Sequence, residues 1–492
     1  MNPDERRSRL EAARAQAEAG AAAEALVEAW AMLDLAPEDR HAKSLIADIL
    51  RHAPASAPVE RLDGLGRLLV DPNVEPSVIA RAAWHLLSRQ GQPLGERAAD
   101  FEALADWAEN APIAARLLEE SPVTVLEAER ALTRVRAWLL MSGRWAGFPR
   151  LTAALAAQAR WNGGAWLISP DERERLGSKP DAAIAAAYFP PPPPAPAKSP
   201  FADPVTDSVA DQYRHWPYPA WSRVTPPEPT TVPDWIEALD FGHPSGLPAA
   251  ADLLVAGCGT GREAALWALR FPDARITAID LSETSLAYAR ERCRALGLDR
   301  IDFRRLDIHD VAGLGRQFDF IASSGVLHHL PDPEGGWAAL AAILKPGGAM
   351  RVMLYSKVAR LKVQAARHRL ADLLDRLVDA DLLREARRRL IEQAPGLLSS
   401  WTDFYTLAGV HDLLLHRHED PFDVPRIVRA LDRLGLELLA FHLPTPFHRA
   451  RYRGEHPDDP GFRDVEAWSA LEKRDPFLFQ GMYNLHCRKP RS

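Results

Sequence analysis

Leu253-Leu254-Val255-Ala256-Gly257-Cys258-Gly259-Thr260-Gly261 is an apolar run that ends in three alternate glycines. An apolar run of this length, closed by glycine, reads as a buried strand, and the glycines let backbone N–H groups approach a ligand with no side chain between. The pattern marks a nucleotide-type binding turn between a strand and a helix. A dinucleotide fingerprint G-x-G-x-x-G would place its third glycine at 262, but Arg262 stands there and the third glycine is Gly261. This spacing turns the reading away from NAD.

Working outward, Ala274 to Ile279 reads as a second strand ending at Asp280, about 20 residues beyond the glycines, where a carboxylate can accept from both hydroxyls of a ribose. A third strand, Ile301 to Arg305, ends at Leu306-Asp307-Ile308, where a carboxylate can accept from an adenine amino group. A fourth, Phe318 to Ala322, leads into Ser323-Ser324-Gly325-Val326-Leu327-His328-His329-Leu330. Lys345-Pro346-Gly347-Gly348 then turns the chain into a fifth strand, Ala349 to Tyr355.

These blocks, in this order, resemble the class I methyltransferases with seven-stranded, Rossmann-like sheets. The resemblance is closest to the branch with GCGTG, D-L-S after strand two and GVLHHLPDP after strand four, which includes quinone and small-molecule methyltransferases. It implies S-adenosylmethionine as cofactor, held by Gly257, Cys258, Gly259 and Gly261 under its methionine part, by Asp280 and Leu281 at the ribose, and by Asp307 and Ile308 at the adenine. Ser324, Gly325 and His328 would lie along the donor and acceptor pockets. Gln212-Tyr213-Arg214-His215-Trp216-Pro217-Tyr218-Pro219-Ala220-Trp221 is similar to the segment that leads into such a domain in bacterial proteins with an amino-terminal tetratricopeptide-like domain. Trp401 to Tyr405 and Asp412 to His416 are also similar to segments of that group. No acceptor is implied.

A chain of 492 residues exceeds one ordinary core, so two domains are expected. A net charge of −7 and a pI near 6.2 give no global attraction to nucleic acid, which is disfavoured as partner. The N/D-P-P-Y tetrapeptide of amino-directed DNA methyltransferases is also missing, since Ser323-Ser324-Gly325-Val326 stands after strand four. Three cysteines, at 258, 293 and 487, form no C-x-x-C pair, so neither a disulfide framework nor a zinc site is suggested and a cytoplasmic location fits. No signal peptide or membrane span is expected.

Residues 1–188, rich in Ala, Leu, Arg and Glu with apolar residues at three-and-four spacing, are expected to form an all-helical, tetratricopeptide-like domain. Gly20, Ala25 and Pro37 fall at offsets similar to those of one tetratricopeptide unit, with helices near 5–18, 22–35 and 40–52. No second clean period follows, and a solenoid needs at least about three. Either a packed bundle that only stabilises the enzyme or a recognition surface for a protein or peptide partner accounts for this half. Five successive prolines, Pro190 to Pro194, make 189–204 a stiff linker. Residues 205–492 would be the methyltransferase domain, with lead-in segment 211–221, a helical insertion 357–430 covering the acceptor side, and a final antiparallel pair near Leu436–Phe441 and Gly481–Cys487.

Methyl transfer is an in-line displacement at a sulfonium, so alignment and exclusion of water are the main tasks. A hydroxyl or carbon-acid acceptor would also need a base. His328, His329 and Tyr213 are the catalytic candidates, and Tyr218, Tyr405 and His416 the substrate-binding ones; each also has a plain packing explanation. His411, Asp412, His416 and His418 do not share one helix face, so no metal is expected. The expected function is S-adenosylmethionine-dependent methylation of an unidentified acceptor, whether small molecule, cell-envelope precursor or protein, with the helical domain recruiting acceptor or partner. The alternatives are a non-catalytic S-adenosylmethionine-binding scaffold and, less favoured by Arg262, an oxidoreductase.

Overall fold

The structure is a computed structural model of the chain. It describes residues 1–89, 99–177, 180–190, 217–239, 246–374, 379–416, 418–443, 446–459, 461–476 and 481–491, with a few isolated positions besides. Most of the proline run and Tyr213 lie outside the described residues. Two compact units result: one from Met1–Pro193, Trp221–Thr225 and Ala365–Leu415, the other from Pro194–Ala220, Pro226–Gln364 and His416–Ser492. The expected insertion 357–430 is thus divided, its central part grouping with the amino-terminal helices.

The first unit is helical. Pro3–Glu18, Ala22–Leu35 and Arg40–His52 open it, matching the three helices read from the sequence. Side-chain caps start several helices: Asn2 accepts from the Glu5 N–H, Asp39 from the N–H groups of His41 and Ala42, and Ser169 and Glu172 form a reciprocal capping box. Proline at the first helical position, as in Pro76, Pro112 and Pro149, costs no hydrogen bond there. The fully buried Trp30 and Trp84 belong to its core. Within this unit the Ala380–Gln393 helix contributes Arg387, which is fully buried. Its guanidinium forks onto Glu129 at 2.9–3.0 Å and donates to the carbonyls of Phe404 at 2.6 Å and Ala165 at 2.7 Å.

The second unit is built on a seven-stranded sheet: β1 Asp252–Ala256, β2 Arg275–Asp280, β3 Asp302–Arg305, β4 Phe318–Ser324, β5 Leu344–Tyr355, β6 Glu437–Phe441 and β7 Met482–Arg488. Their order is β3-β2-β1-β4-β5-β7-β6. Strands β1 to β5 pair in parallel, while β7 runs antiparallel between β5 and β6. The Lys345–Gly348 turn is taken up as a register shift against β4, between Phe318 and Phe320. One sheet face packs Phe320 against Trp235, Trp267 and Phe271 in edge-on contacts. The other buries Leu254, Ile321, Met350 and Val352 in a core with Trp337 and Trp468. Because order reverses at β1, with β2 on one side and β4 on the other, a crevice opens at the carboxyl ends of β1 and β4, where open α/β sheets take their ligands.

Candidate functional site

The glycine turn sits at that crevice. Gly257, Gly259 and Gly261 have φ values of 74°, 50° and 83°, which favour glycine, and space forbids a larger residue at the outer two. A Cβ on Gly257 would lie 2.4 Å from Val326 Cγ2, and one on Gly261 would lie 2.6 Å from Ala289 Cβ. The N–H groups of Gly257 and Cys258 both donate to Ile279 O at 2.9 Å, tying the turn to β2. Cys258 is buried and desolvation drives its thiol well above the usual range, so it fills space as a neutral group. Thr260 Oγ1 donates to Pro219 O at 2.6 Å, and a Cβ on Gly259 would come within 3.1 Å of Tyr218 O. The lead-in segment therefore meets the turn through its backbone.

Asp280 ends β2 with Oδ2 accepting from the Gly259 N–H at 2.7 Å and Oδ1 from the Ser282 N–H at 2.9 Å. Desolvation pushes its carboxyl above the usual range, against the pull of the N–H groups of Ser282, Gly259 and Leu281. Each oxygen keeps acceptor capacity for a ribose hydroxyl. Leu281 contributes its carbonyl, which accepts from Arg305 Nε at 2.9 Å. Asp307 caps the short 3-10 helix Ile308–Leu314, its Oδ1 accepting from the His309 N–H at 2.8 Å, and Ile308 is buried in the core beneath. A glycine turn with carboxylates at the ends of the next two strands fits an adenosyl ligand.

At the end of β4 the sequence reading was incomplete. Ser324 donates to Glu263 Oε1 at 2.8 Å, and Arg351 from β5 donates to the same oxygen at 2.5 Å. Arg351 Nε also reaches Asn484 Oδ1 of β7 at 3.0 Å, and Trp267 Nε1 reaches Glu263 Oε1 at 3.2 Å. Gly325, with φ 74°, donates its N–H to Met353 O at 3.1 Å. The signals for the missed pair were present: Glu263 is two residues past the last glycine, and Arg351 interrupts the apolar strand Met350–Leu354.

The histidines occupy a different environment. His328 is fully buried, stacks on Tyr355 at 3.9 Å, and its Nδ1 accepts from the Tyr355 N–H at 3.1 Å. An N–H can only meet a lone pair, so the proton of the neutral ring is on Nε2, which has no partner among the described residues. Desolvation, then His329, Arg360 and His416, hold this imidazole well below its ordinary value. His329 Nδ1 lies 2.9 Å from His418 O, which fixes the proton on Nδ1 and the lone pair on Nε2. Its ring stacks on His416 at 3.5 Å. A strap of residues 418–422 lies along these groups. The Asp420 N–H donates to His328 O at 2.8 Å, and Phe422 pairs with Tyr355 and Lys357 through main-chain bonds. Arg360 forks onto Glu419 and lies over the Tyr355 ring at 4.1 Å.

Of the three substrate-binding candidates, His416 is placed beside His329, Tyr218 reaches the glycine turn by its carbonyl, and Tyr405 lies in the helical unit. There Tyr405 is buried, with its hydroxyl donating to Ser399 O at 2.8 Å. His411 and Asp412 are likewise on the Leu407–Leu415 helix of the helical unit.

Residues 253–348 match the family model described as a methyltransferase domain. An uncharacterized protein of Synechococcus sp. is 32% identical over 256 residues, covering 49% of this chain and 60% of that protein. A malonyl-[acyl-carrier protein] O-methyltransferase of Acetivibrio thermocellus is 33% identical over 133 residues, 27% of this chain and 43% of its own length. A solved structure of PKMT2 from Rickettsia typhi in complex with AdoHcy aligns at 16% identity and a TM-score of 0.37, covering 53% of this chain and 54% of that one. The chain thus spans about half the length of the curated relatives it matches. Residues 253–348, which lie in the sheet unit, are thus similar to a methyltransferase domain. Among the described residues no helix is long and apolar enough to cross a membrane.

Proposed function

We propose that the protein transfers a methyl group from S-adenosylmethionine to an acceptor bound at the carboxyl ends of β4 and β5. The observation that carries this is the cradle: three glycines at positive φ, two of them with no room for a Cβ, facing Asp280 across one hydrogen bond. Gly257, Cys258, Gly259 and Gly261 hold the methionine part, Asp280 and Leu281 the ribose, Asp307 and Ile308 the adenine, and Ser324 with Gly325 the reacting end. When bound, the donor supplies an electrophilic methyl on a leaving group that needs no help; the protein aligns acceptor and donor and keeps water out.

The acceptor is a small molecule, an envelope precursor or a protein. An oxygen acceptor is favoured, because similar proteins include O-methyltransferases for a malonyl-[acyl-carrier protein] and for ubiquinone biosynthesis. Such an acceptor needs a base, for which His328 and His329 are the candidates, although the Nδ1 lone pair of His328 is spent on the Tyr355 N–H. Tyr213 is retained as a candidate. The helical unit recruits acceptor or partner. The purified protein given a cell extract and methyl-labelled S-adenosylmethionine should pass label to one fraction. No transfer to any fraction, with S-adenosylhomocysteine still bound, would favour a binding scaffold.

A further inference from the structure

Four buried cations of the helical unit each meet a carboxylate. Arg387 lies 2.9 Å from Glu129, Arg136 3.3 Å from Glu172, Arg384 2.8 Å from Asp381 and Lys43 2.7 Å from Asp71. Arg81, half-buried on the Pro76–Leu87 helix, meets none among the described residues. Its Nη2 donates to the Ser400 carbonyl at 3.2 Å in an exposed contact, its Nε is buried without a partner, and its Nη1 donates to no group among the described residues. Desolvation holds this guanidinium below its ordinary value. A charge taken out of water with no counterion carries a cost that pairing would recover.

The neighbours of Arg81 do not supply that counterion. His85 follows one turn later on the same helix face, and Arg89 stands one turn beyond it. Desolvation, then Arg81, hold the His85 imidazole below its ordinary value; Glu127 acts in the opposite sense and Arg89 adds to the lowering. Arg89 gives Nη1 to Ala57 O at 3.3 Å and Nη2 to Ala55 O, both uncharged acceptors. Tyr405, which also acts on Arg81, stays protonated because burial pushes its phenol up. With His85 neutral, the two guanidinium groups against the exposed Glu127 leave a single positive charge. One carboxylate cancels it, whereas a phosphate dianion would leave negative charge in excess beside Glu127.

We propose that Arg81 and His85 bind a side-chain carboxylate of an acidic peptide segment in a protein partner, Arg81 Nη1 and one ring N–H of His85 donating to its oxygens. This rests on the reading of the helical unit as a recruiting surface, and it is independent of the donor assignment. A peptide is favoured over nucleic acid because the chain carries a net charge of −7, which opposes the approach of a polyanion more than that of a short acidic segment.

The test is a fluorescence-polarisation titration of the full chain, without donor, against a labelled Gly-Ser-Glu repeat peptide and against the same repeat with glutamine in place of glutamate. The glutamate peptide should bind saturably and more weakly as salt rises, and the glutamine peptide should not bind. Arg81→Gln should weaken the glutamate peptide at least tenfold and His85→Phe by a few-fold. Arg160→Gln, which removes the same charge from an exposed position on the Pro149–Asn162 helix, should stay within about twofold. Arg81→Gln removes an uncompensated charge, so its melting temperature should match that of wild type; should it fail to fold, His85→Phe decides the matter. A glutamate peptide bound equally by wild type and Arg81→Gln would overturn this site and leave recruitment by another surface standing. Neither peptide bound would overturn the site and the recruiting role together. Tighter binding of a phosphoserine repeat or of oligothymidine would overturn the choice of a carboxylate.

Discussion

Two ends of neighbouring strands in the same sheet spend their polar groups in opposite ways. At the glycine turn after β1, backbone N–H groups meet the carboxylate of Asp280, which uses one bond per oxygen. At the end of β4, the rings of His328, His329, Tyr355 and His416 pack against one another, and protein groups take up their hydrogen bonds: the Tyr355 N–H at His328 and the His418 carbonyl at His329. Polar residues at a strand's carboxyl end thus do not identify a ligand site by type alone. Under the proposed function, what separates the two is whether protein or donor completes their bonding.

The sharpest way to break this contrast is to remove one partner of the buried pair that anchors the strap. Arg360→Met leaves Glu419 desolvated and unpaired, and should cost about 3–5 kcal/mol in urea unfolding. Loss of less than about 1 kcal/mol would mean the strap is held otherwise. The matching change at the turn, Asp280→Asn, sets its amide NH2 against one of two backbone N–H groups, so it should cost about 1–3 kcal/mol of stability and also weaken S-adenosylhomocysteine binding roughly tenfold to a hundredfold, through loss of charge-assisted bonds worth about 1.5–3 kcal/mol. A folded variant with unaltered affinity would remove Asp280 from the site. Gly257→Ala should do both kinds of damage, costing about 1–3 kcal/mol in strain while thrusting a methyl against Val326.

Acid titration gives the smallest effect and the finest distinction. Imidazoles such as His328 and His486, held far below 6.5, and His442, held at about 4, bind protons more readily when the chain is unfolded. Their contribution to unfolding free energy is therefore constant above pH 6.5 and is lost as pH falls from there toward the folded values, by up to about 1.4 kcal/mol per pH unit for each group. His328→Gln should flatten that slope. Asp280 works in the opposite sense: its raised carboxyl binds a proton more readily in the folded state, so its own term falls as pH rises through the interval above 3.8. Donor affinity, which needs the carboxylate, should rise through the same interval.

Much of the sheet was legible because its signals are local. The strand ends at Ala256, Asp280 and Ser324 lie within two residues of the sequence expectation, since apolar runs and glycines report on their own backbone. The antiparallel partnership of β6 and β7 also followed, although β7 lies inside and β6 at the rim. Features depending on pairing across long separations stayed hidden. Nothing near Arg351 announces Glu263, 88 residues earlier, and nothing in Trp401–Tyr405 tells that Tyr405 is buried among helices. Glu419 is likewise paired with Arg360 across 59 residues.

The helical unit has a consequence for synthesis. Glu129 is made 258 residues before Arg387, the cation that neutralises it. During translation five strands of the sheet emerge in that interval, so the first-made helices wait with an unneutralised acid and an uncovered surface until the Ala380–Gln393 helix arrives. The helices that precede the sheet are thus made ahead of the segment that completes them.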